Sequence, residues 1–239
     1  MDPDRALLVA CLDLTSLAED EDGSTIEALC ERAVHPVVGR PELHVAAVCV
    51  WPRWIATAQR LLNGSPVHVA AATGGFPVPD APLGDRLHEI EDAVAAGADE
   101  VDVPIARFLL NERDALSGEL SATRASAGDA VWKAIVETGA VELSAVRALA
   151  DAAIAAGADF VKSSTGKGVP GVSPEAAAVL AETIRDGGRR TGLKLSGGIR
   201  GLGQATNHLA QIRAILGRDW PAPSTFRIGA SALLDALIA

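Results

Sequence analysis

Tyrosine is absent from the 239-residue chain, and the other aromatic residues are limited to four phenylalanines and four tryptophans. Hydrophobic residues still make up 49% of the chain, so the core must consist mainly of alanine, valine, leucine and isoleucine. A chain of this length buries most of its unfolded surface without disulfides or metal ions. Its length allows one large domain or two small ones.

Positive charge is also scarce: 21 lysines and arginines face 31 aspartates and glutamates, which gives a formal net charge of −10 at pH 7. Proteins that bind nucleic acids or anionic membranes usually present a basic excess. The charge balance therefore argues against both partners, although a local pocket could still hold a small anion.

Cysteine is limited to Cys11, Cys30 and Cys49, an odd number without paired spacing. This pattern predicts reduced thiols, as in a cytosolic protein. The opening residues MDPDR lack the basic region and apolar run of a secretory signal. No uncharged apolar run is long enough to span a membrane. We therefore expect a cytoplasmic location.

Several catalytic motifs are missing from the sequence. The five histidines are scattered, and neither HExxH nor CxxC occurs. The GxSxG turn of a Ser-His-Asp hydrolase is absent as well. A phosphosugar isomerase would need a glutamate base and a histidine electrophile at strand ends, and the sequence pattern provides neither. We predict no metal ion and no cofactor.

Short apolar runs alternate with longer segments whose apolar residues recur at three- and four-residue spacing, as in amphipathic helices. The predicted strands are Leu7–Leu14, His44–Val50, Val67–Thr73, Glu100–Ile105, Val131–Thr138, Phe160–Thr165, Leu193–Ser196 and Phe226–Gly229. Eight alternations without a linker predict a (β/α)8 TIM barrel, a single domain over residues 1–239. A doubly wound open sheet, the alternative, would show a glycine-rich fingerprint after the first strand. The chain reads DLTSLAED there.

Helix ends are predicted from capping residues. Ser24, Ser144 and Ser173 are expected to cap helix starts. Gly97 and Gly157 are expected to end helices, because glycine adopts the left-handed conformation that such ends use.

The same connector occurs twice, as AAGADEVDV from Ala95 and as AAGADFVKS from Ala155. Equal connectors place Asp102 in the fourth strand and Lys162 in the sixth at equivalent heights. Alternate strands of such a barrel contribute to the same interior layers, whereas the flanking valines point toward the helices. We therefore expect the acid and the amine to face each other across the interior.

Lysine is rare, with four residues against seventeen arginines. Three of the four, Lys133, Lys162 and Lys194, interrupt apolar strand patterns. Lysine can lose its proton and arginine cannot, so these positions suggest an amine with a chemical role. Two alternatives remain. A strand lysine usually extends to solvent at a strand end, and Asp102 could simply form an ion pair with either lysine.

An amine attacks a carbonyl only when it is uncharged, and a free lysine, with a pKa of about 10.4, is almost wholly protonated at neutral pH. Burial and a second ammonium group both lower a lysine pKa. Lys162 beside Lys194 is therefore a candidate nucleophile that would form a Schiff base with an aldehyde. Asp102 is the candidate acid that moves protons.

Three segments near strand ends combine glycine with hydroxyl or basic residues: STGK (164–167), SGGIR (196–200) and RIGAS (227–231). Glycine lets backbone N–H groups approach an anion, and a following helix adds its positive end. Barrels often bind phosphate after strands seven and eight, where the second and third segments lie. Each turn alone could need glycine only for its geometry, but together they favour a phosphate site.

The chain resembles the deoxyribose-phosphate aldolase family, whose members are class I aldolases with a (β/α)8 fold. The resemblance extends from about Leu12 to Leu237 and rests on CLDLTSL, VAAVCVWPR, GADEVDV, KAIVETG, GADFVKSSTGKG, LKLSGGIR and FRIGASALL, in that order. It implies reversible cleavage of 2-deoxy-D-ribose 5-phosphate to D-glyceraldehyde 3-phosphate and acetaldehyde. The implied partners are small phosphosugars and aldehydes, and a homodimer stays open.

The resemblance also assigns residues by position. Lys162 matches the Schiff-base lysine, Lys194 the second lysine that perturbs it, and Asp102 the acid of the proton relay. The implied substrate-binding residues are Asp13, Cys49 and Thr165 near the hydroxyl-bearing chain, and Gly166, Lys167, Gly197, Gly198, Gly229 and Ser231 on the phosphate side.

The sequence departs from the family pattern in three places. Some members have a C-terminal tyrosine that helps to move protons, and this chain contains no tyrosine. Ala232 stands where the family often has a second serine, so one phosphate hydrogen bond is expected to be missing. The segment ATGGFPVPDAP is looser than the usual turn after the third strand. A non-catalytic phosphosugar-binding barrel is therefore the alternative function.

Overall fold

A closed barrel of eight parallel strands forms the centre of the molecule. The computed structural model describes residues 1–188 and 191–239. The strands pair in chain order, and the eighth pairs with the first. They are β1 (Leu12–Thr15), β2 (Ala47–Val50), β3 (His68–Ala72), β4 (Glu100–Pro104), β5 (Val131–Ile135), β6 (Phe160–Lys162), β7 (Gly192–Ser196) and β8 (Phe226–Ala230). The predicted (β/α)8 barrel is confirmed.

One α-helix precedes the barrel, and each strand is followed by another. The helices are α1 (Pro3–Ala10), α2 (Gly23–Val34), α3 (Ile55–Leu62), α4 (Leu83–Ala95), α5 (Arg113–Ala127), α6 (Leu143–Ala155), α7 (Pro174–Asp186), α8 (Leu202–Leu216) and α9 (Leu233–Ile238). Short 3-10 helices follow three strands, at Pro52–Trp54, Arg107–Leu109 and Thr138–Ala140. Across the described ranges, no helix is both long and apolar enough to cross a membrane.

The predicted strand Leu7–Leu14 is wrong over its first part, where the chain forms α1. Asp2 caps this helix, because its carboxylate accepts hydrogen bonds from the N–H groups of Asp4 and Arg5 at 3.0 and 3.1 Å. Pro3 occupies the first turn, where its missing N–H costs nothing. The period of a short apolar run does not distinguish a buried helix from a buried strand. The capping residues upstream specify the helix.

Two of the three predicted serine caps are also wrong. Asp22, not Ser24, caps α2, since its carboxylate accepts the N–H of the third helical residue at 2.9 Å. Ser144 lies inside α6, whose N-cap position is Glu142. Ser173 does cap α7. A carboxylate upstream competes well for the cap position, because aspartate and serine have similar capping strength.

The repeated connector has the predicted geometry in both copies. Gly97 and Gly157 follow the last turns of α4 and α6 with φ of 101° and 92°, a conformation that glycine adopts without a steric penalty. Asp102 and Lys162 are each the third residue of their strand. The valines that flank them belong to the hydrophobic core. The acid and the amine therefore point into the barrel.

The main apolar core lies between the outer face of the barrel and the helices. Inside the barrel, a small apolar cluster of Ala47, Cys49 and Ala70 accompanies a set of charged side chains. Small residues on β2 and β3 leave room for these long charged side chains, which form the candidate site.

Candidate active site

Lys162, the last residue of β6, lies at the mouth of the barrel with only 3% of its surface exposed. Its Nζ donates a hydrogen bond to Oδ2 of Asp102 at 2.7 Å, which confirms the predicted contact across the interior. Lys162 also lines a cavity at the carboxyl ends of the strands. The amine is shielded from bulk water but open to a small molecule in that cavity.

Lys194 places a second amine beside the first. The strand register pairs Lys162 with Lys194, and Nζ of Lys194 donates to the same Oδ2 of Asp102 at 2.7 Å. Lys194 also forms an ion pair with Asp13. The two amines therefore meet at one carboxylate oxygen.

The two neighbouring lysines have opposite pKa shifts. Burial lowers the pKa of Lys162 below its ordinary value, and the charge of Lys194 lowers it further, while Asp102 opposes the shift. Burial also disfavours the charged form of Lys194, but Asp102 and Asp13 outweigh it and raise the pKa of Lys194. Lys162 is therefore the amine more easily found in its neutral, nucleophilic form.

Three more charged side chains, Lys133, Glu100 and Arg227, lie in the interior. Lys133 is one of the strand lysines singled out from the sequence, without a specific role, and the other two were not singled out. Nζ of Lys133 lies 3.0 Å from both Oδ2 of Asp13 and Oδ1 of Asp102. It also contacts Glu100. Arg227 donates to Oδ1 of Asp13 at 2.6 Å and to Oε1 of Glu100 at 3.0 Å. The two-residue period that turns Asp102 inward also turns Glu100 inward, a signal that could have located it.

We call these residues the interior charge cluster. Each of its side chains is buried, and each takes part in at least one ion pair with another member. Its members are Asp13, Glu100, Asp102, Lys133, Lys162, Lys194 and Arg227. The ion pairs of Asp102 that the sequence analysis gave as an alternative are therefore present. The lowered pKa of Lys162 distinguishes it from the neighbouring lysines.

Asp13 and Cys49 lie within the barrel, beneath the cavity. Asp13 is completely buried among Lys133, Lys194 and Arg227. The Sγ atom of Cys49 lies 3.8 Å from Oδ2 of Asp102, and burial raises the pKa of its thiol. Both residues contact the groups around Lys162 and are absent from the lining of the open cavity.

The cavity has a volume of about 370 Å³. It brings together most of the predicted substrate-binding residues with Lys162. These are Thr165, Gly166, Lys167, Gly197, Gly198, Gly229 and Ser231. Arg200 and Ala232 also line it, so the position predicted to lack a hydroxyl does face the cavity. A pocket with basic side chains and several glycines suits a small anion.

Gly197 shows why one of these turns requires glycine. Its φ is 87°, and a Cβ atom built there would lie 2.6 Å from Cα of Gly171. Both the left-handed backbone and the close approach of the neighbouring loop exclude a side chain. The wall of the cavity is therefore formed by closely packed backbone.

Glu137, at the end of β5, holds the β6 loop in place. It is the one non-glycine residue with positive φ, 58°, in the described part of the chain. Its buried carboxylate accepts hydrogen bonds from the hydroxyl of Ser164 at 2.7 Å and from the N–H of Thr165 at 3.1 Å. The hydroxyl of Thr165 also donates to it, at 2.5 Å. Thr165 thus lines the cavity while its hydroxyl points to Glu137.

Lys167 connects two loops around the cavity. Its Nζ donates to the carbonyl of Leu17 at 2.8 Å, and its N–H donates to the hydroxyl of Thr165 at 3.1 Å. The β1 and β6 loops are therefore joined at the cavity wall.

Phe76 covers Lys162 from the β3 side, with its ring centroid 5.6 Å from Nζ. The ring of Trp51 packs edge-on against Phe76 at 5.6 Å. Phe76 belongs to the segment that departs from the family turn, and the structure nevertheless places an aromatic ring over the amine. Within residues 1–188 and 191–239, no group of three or more histidine, cysteine, aspartate or glutamate side chains is arranged to hold a metal ion.

The fold and the site together define a (β/α)8 barrel with a buried amine and an acid below a glycine-lined cavity. A sequence model described as DeoC/LacD family aldolase matches residues 7–237. The chain belongs to this family.

Relatives and solved structures agree with that placement. The chain is 37% identical to the deoxyribose-phosphate aldolase of Agrobacterium fabrum over 98% of its own length and 90% of the relative. It is 38% identical to that of Bos taurus over 95% and 77%. A solved structure described as the unique tetrameric structure of deoxyribose phosphate aldolase from Aeropyrum pernix superposes with a TM-score of 0.77 at 26% identity, covering 98% of this chain and 90% of that one.

Proposed function

We propose that the chain is a class I aldolase that reversibly cleaves 2-deoxy-D-ribose 5-phosphate to D-glyceraldehyde 3-phosphate and acetaldehyde. The observation that carries the proposal is the amine of Lys162. It is buried, its pKa is lowered, it contacts Asp102, and it opens to the cavity. The relatives named as deoxyribose-phosphate aldolases support this substrate.

In the first half of the reaction, neutral Lys162 attacks the aldehyde carbon C1 of the open-chain sugar. The carbinolamine hydroxyl takes up a proton and leaves as water, and an iminium ion remains on Lys162. Asp102 lies at hydrogen-bond distance from both Lys162 and the ammonium of Lys194. It is therefore placed to accept and return protons in these steps.

In the second half, the iminium ion withdraws the electrons of the C2–C3 bond. The C3 hydroxyl loses its proton, the C2–C3 bond breaks, and C3 becomes the aldehyde of glyceraldehyde 3-phosphate. The electron pair forms an enamine, which is protonated at C2. Water then adds to C1, acetaldehyde leaves, and Lys162 is free again. The same carboxylate would serve both proton transfers, from the C3 hydroxyl and to C2, because each carbon is still attached through C1 to Nζ when its proton moves.

The glycine-lined cavity would hold the phosphate. Gly166, Gly197, Gly198 and Gly229 allow backbone N–H groups to approach an anion, and Lys167 adds positive charge beside them. Ser231 precedes α9 and could donate its hydroxyl. The cavity begins at Lys162, so one end of a small phosphosugar would reach the amine while the other occupies the glycine turns.

We also propose that residues 1–239 act as one domain, since the strands that close the barrel, β1 and β8, come from its two ends. A cytoplasmic location and a homodimer stay predictions, and sedimentation would test the latter. The non-catalytic binding barrel gains no support from the relatives, which are named as aldolases. A protein that only binds the sugar would also not require a lysine with a lowered pKa, as Lys162 has.

Reductive trapping tests the proposal. The protein is incubated with acetaldehyde and borohydride, digested and mapped by mass spectrometry. We expect a single labelled lysine, Lys162, and no label in a folded Lys162→Met variant. Label at Lys167 or Lys194 instead would refute the assignment. A coupled assay on deoxyribose 5-phosphate separates the alternative, because a binding barrel would gain thermal stability from the sugar without forming product.

A further inference from the structure

The interior charge cluster contains more charge than the proton relay needs. Its carboxylates are Asp13, Glu100 and Asp102, and the pKa of each is lowered despite complete burial, that of Glu100 to about 2. Lysines and an arginine on neighbouring and facing strands cause these shifts, and a hydrogen bond with His68 also lowers the pKa of Glu100. All three acids therefore carry negative charge at neutral pH.

Three cations oppose these acids without Lys162. The pKa values of Lys133, Lys194 and Arg227 are raised because the carboxylates outweigh their burial. With His68 uncharged, these three negative and three positive charges of the interior charge cluster sum to zero. A proton on Lys162 would leave one uncompensated positive charge in a site shielded from bulk water, which is costly. Charge balance thus favours neutral Lys162.

Lys133 contacts more carboxylates of the cluster than either of the other two cations does. Its Nζ lies 3.0 Å from Oδ1 of Asp102, while Lys162 and Lys194 share Oδ2 of the same group. It also contacts Asp13 and Glu100. Lys133 therefore compensates the charge of Asp102 from the side opposite Lys162. Glu100 is in turn a counter-ion of Lys133.

We propose that Lys133 is a positioning residue whose positive charge, balanced against the negative charge of Glu100, keeps Lys162 uncharged for attack on the aldehyde. The proposal rests on the proposed Schiff-base function of Lys162. Lys194 lowers the pKa of Lys162 directly, whereas Lys133 acts through Asp102, because it binds Oδ1 of the carboxylate whose Oδ2 accepts from Lys162.

Every strand of the barrel contributes a group that bears on this balance. Oε1 of Glu100 also accepts from Nδ1 of His68 at 2.9 Å, and His68 is half-exposed at the opposite end of the barrel. The thiol of Cys49 stays protonated because its pKa is raised. The groups are Asp13 on β1, Cys49 on β2, His68 on β3, Glu100 and Asp102 on β4, Lys133 on β5, Lys162 on β6, Lys194 on β7 and Arg227 on β8.

The pH profile of Lys162 labelling tests the proposal. The rate of trapping with acetaldehyde and cyanoborohydride is measured against pH for wild type, Lys133→Met, Glu100→Gln and the double variant. Removing Lys133 leaves an excess negative charge, so the labelling midpoint should rise by about one pH unit. Removing Glu100 leaves an excess positive charge, so the midpoint should fall by a similar amount. The double variant restores equal charges and should return close to wild type.

The opposite signs separate charge from structural damage. A purely structural role would lower the labelling rate of both single variants at every pH without moving the midpoint. Lys133→Arg retains the charge and should retain the midpoint. Circular dichroism and thermal melting verify that each variant folds, and Glu100→Gln alone still tests the sign if Lys133→Met does not fold.

The two proposals fail in different ways. If wild type is labelled at Lys162 but the midpoints of all folded variants coincide, or shift in the same direction, the charge-balance proposal is wrong. If folded wild type is not labelled at any pH, the Schiff-base function itself is wrong.

Discussion

The interior charge cluster is built from side chains, whereas the cavity above it is built largely from backbone and glycine. In the cluster, ions on different strands fix one another by direct pairing. In the cavity, positive-φ glycines such as Gly166, Gly197 and Gly198 bring loops together, and the side chains that line it are mostly short.

This difference predicts two kinds of sensitivity. The cluster is buried, so a single change of charge alters the free energies of several protonation states at once. The cavity is open, and added volume or a strained backbone angle would change its shape without changing the amine. Substitutions in the cluster should therefore act on kcat and its pH dependence, and substitutions in the cavity should act on KM for phosphorylated substrates.

The largest effect is expected from Asp102→Asn, which keeps the shape of the side chain and removes its charge. The amide cannot carry protons between the intermediates, so kcat for deoxyribose 5-phosphate cleavage should fall on the order of 10²- to 10⁴-fold. KM should change little, because the cavity is unaltered. Steady-state kinetics measure both quantities.

Asp151→Asn is the matched control for this substitution, since Asp151 lies on the surface of α6, 3.8 Å from Arg147. It should leave kcat unchanged. Near wild-type turnover in a folded Asp102→Asn variant would contradict the proposed proton relay.

Gly197→Ala should produce the largest effect in the cavity. The added Cβ would lie 2.6 Å from Gly171 at a φ of 87°, and the resulting strain of about 1–3 kcal/mol should displace the turn. KM for the phosphorylated sugar should rise roughly tenfold or more, while activity on unphosphorylated deoxyribose changes less. Gly203→Ala in α8 has open space around it and should behave as wild type. Equal losses on both sugars would argue against a phosphate role for this turn.

Glu137→Gln should have a smaller effect in the same direction. The amide nitrogen of glutamine cannot accept a hydrogen bond, so a hydroxyl of Ser164 or Thr165 loses its acceptor, at a cost of about 1–3 kcal/mol. The β6 loop should loosen, and KM for the phosphorylated sugar should rise several-fold with a modest loss of thermal stability. Glu142→Gln, on the surface, is the control. A lowered melting temperature with unchanged KM would assign Glu137 a purely structural role.

The inward positions of three charged side chains of the site could be predicted because their signals are local in the chain. The two-residue period of a strand turns Asp102, Lys162 and Lys194 inward, and the repeated connector sets equal heights for the first two. The barrel itself was predicted because short apolar runs alternate along the chain with segments that have the apolar spacing of amphipathic helices. The misread start of the chain, α1, depends on the cap Asp2 and not on hydrophobic period.

The rest of the site depends on neighbours that are distant in sequence. Contacts of Lys133 with Asp13, and of Arg227 with Glu100, exist only once the barrel closes. The left-handed conformation of Glu137 has no sequence marker comparable to glycine. Phe76 reaches Lys162 from a loop whose path the sequence leaves open. Such cross-barrel contacts require the three-dimensional arrangement.

The smallest expected effect is a gain from Ala232→Ser, which supplies the second serine hydroxyl that the family pattern often has at this position. Ala232 lines the cavity and occupies the N-cap position of α9, where no side chain caps the helix. A serine hydroxyl that donates to a phosphate oxygen would contribute about 0.5–1.5 kcal/mol, so KM for deoxyribose 5-phosphate should fall about two- to tenfold. Serine at this position could also cap α9 and raise the melting temperature. Unphosphorylated deoxyribose separates the two effects, because a cap stabilises the protein without changing KM for a sugar that has no phosphate. If KM falls equally for both sugars, the hydroxyl does not bind phosphate and the cavity has another ligand at this position.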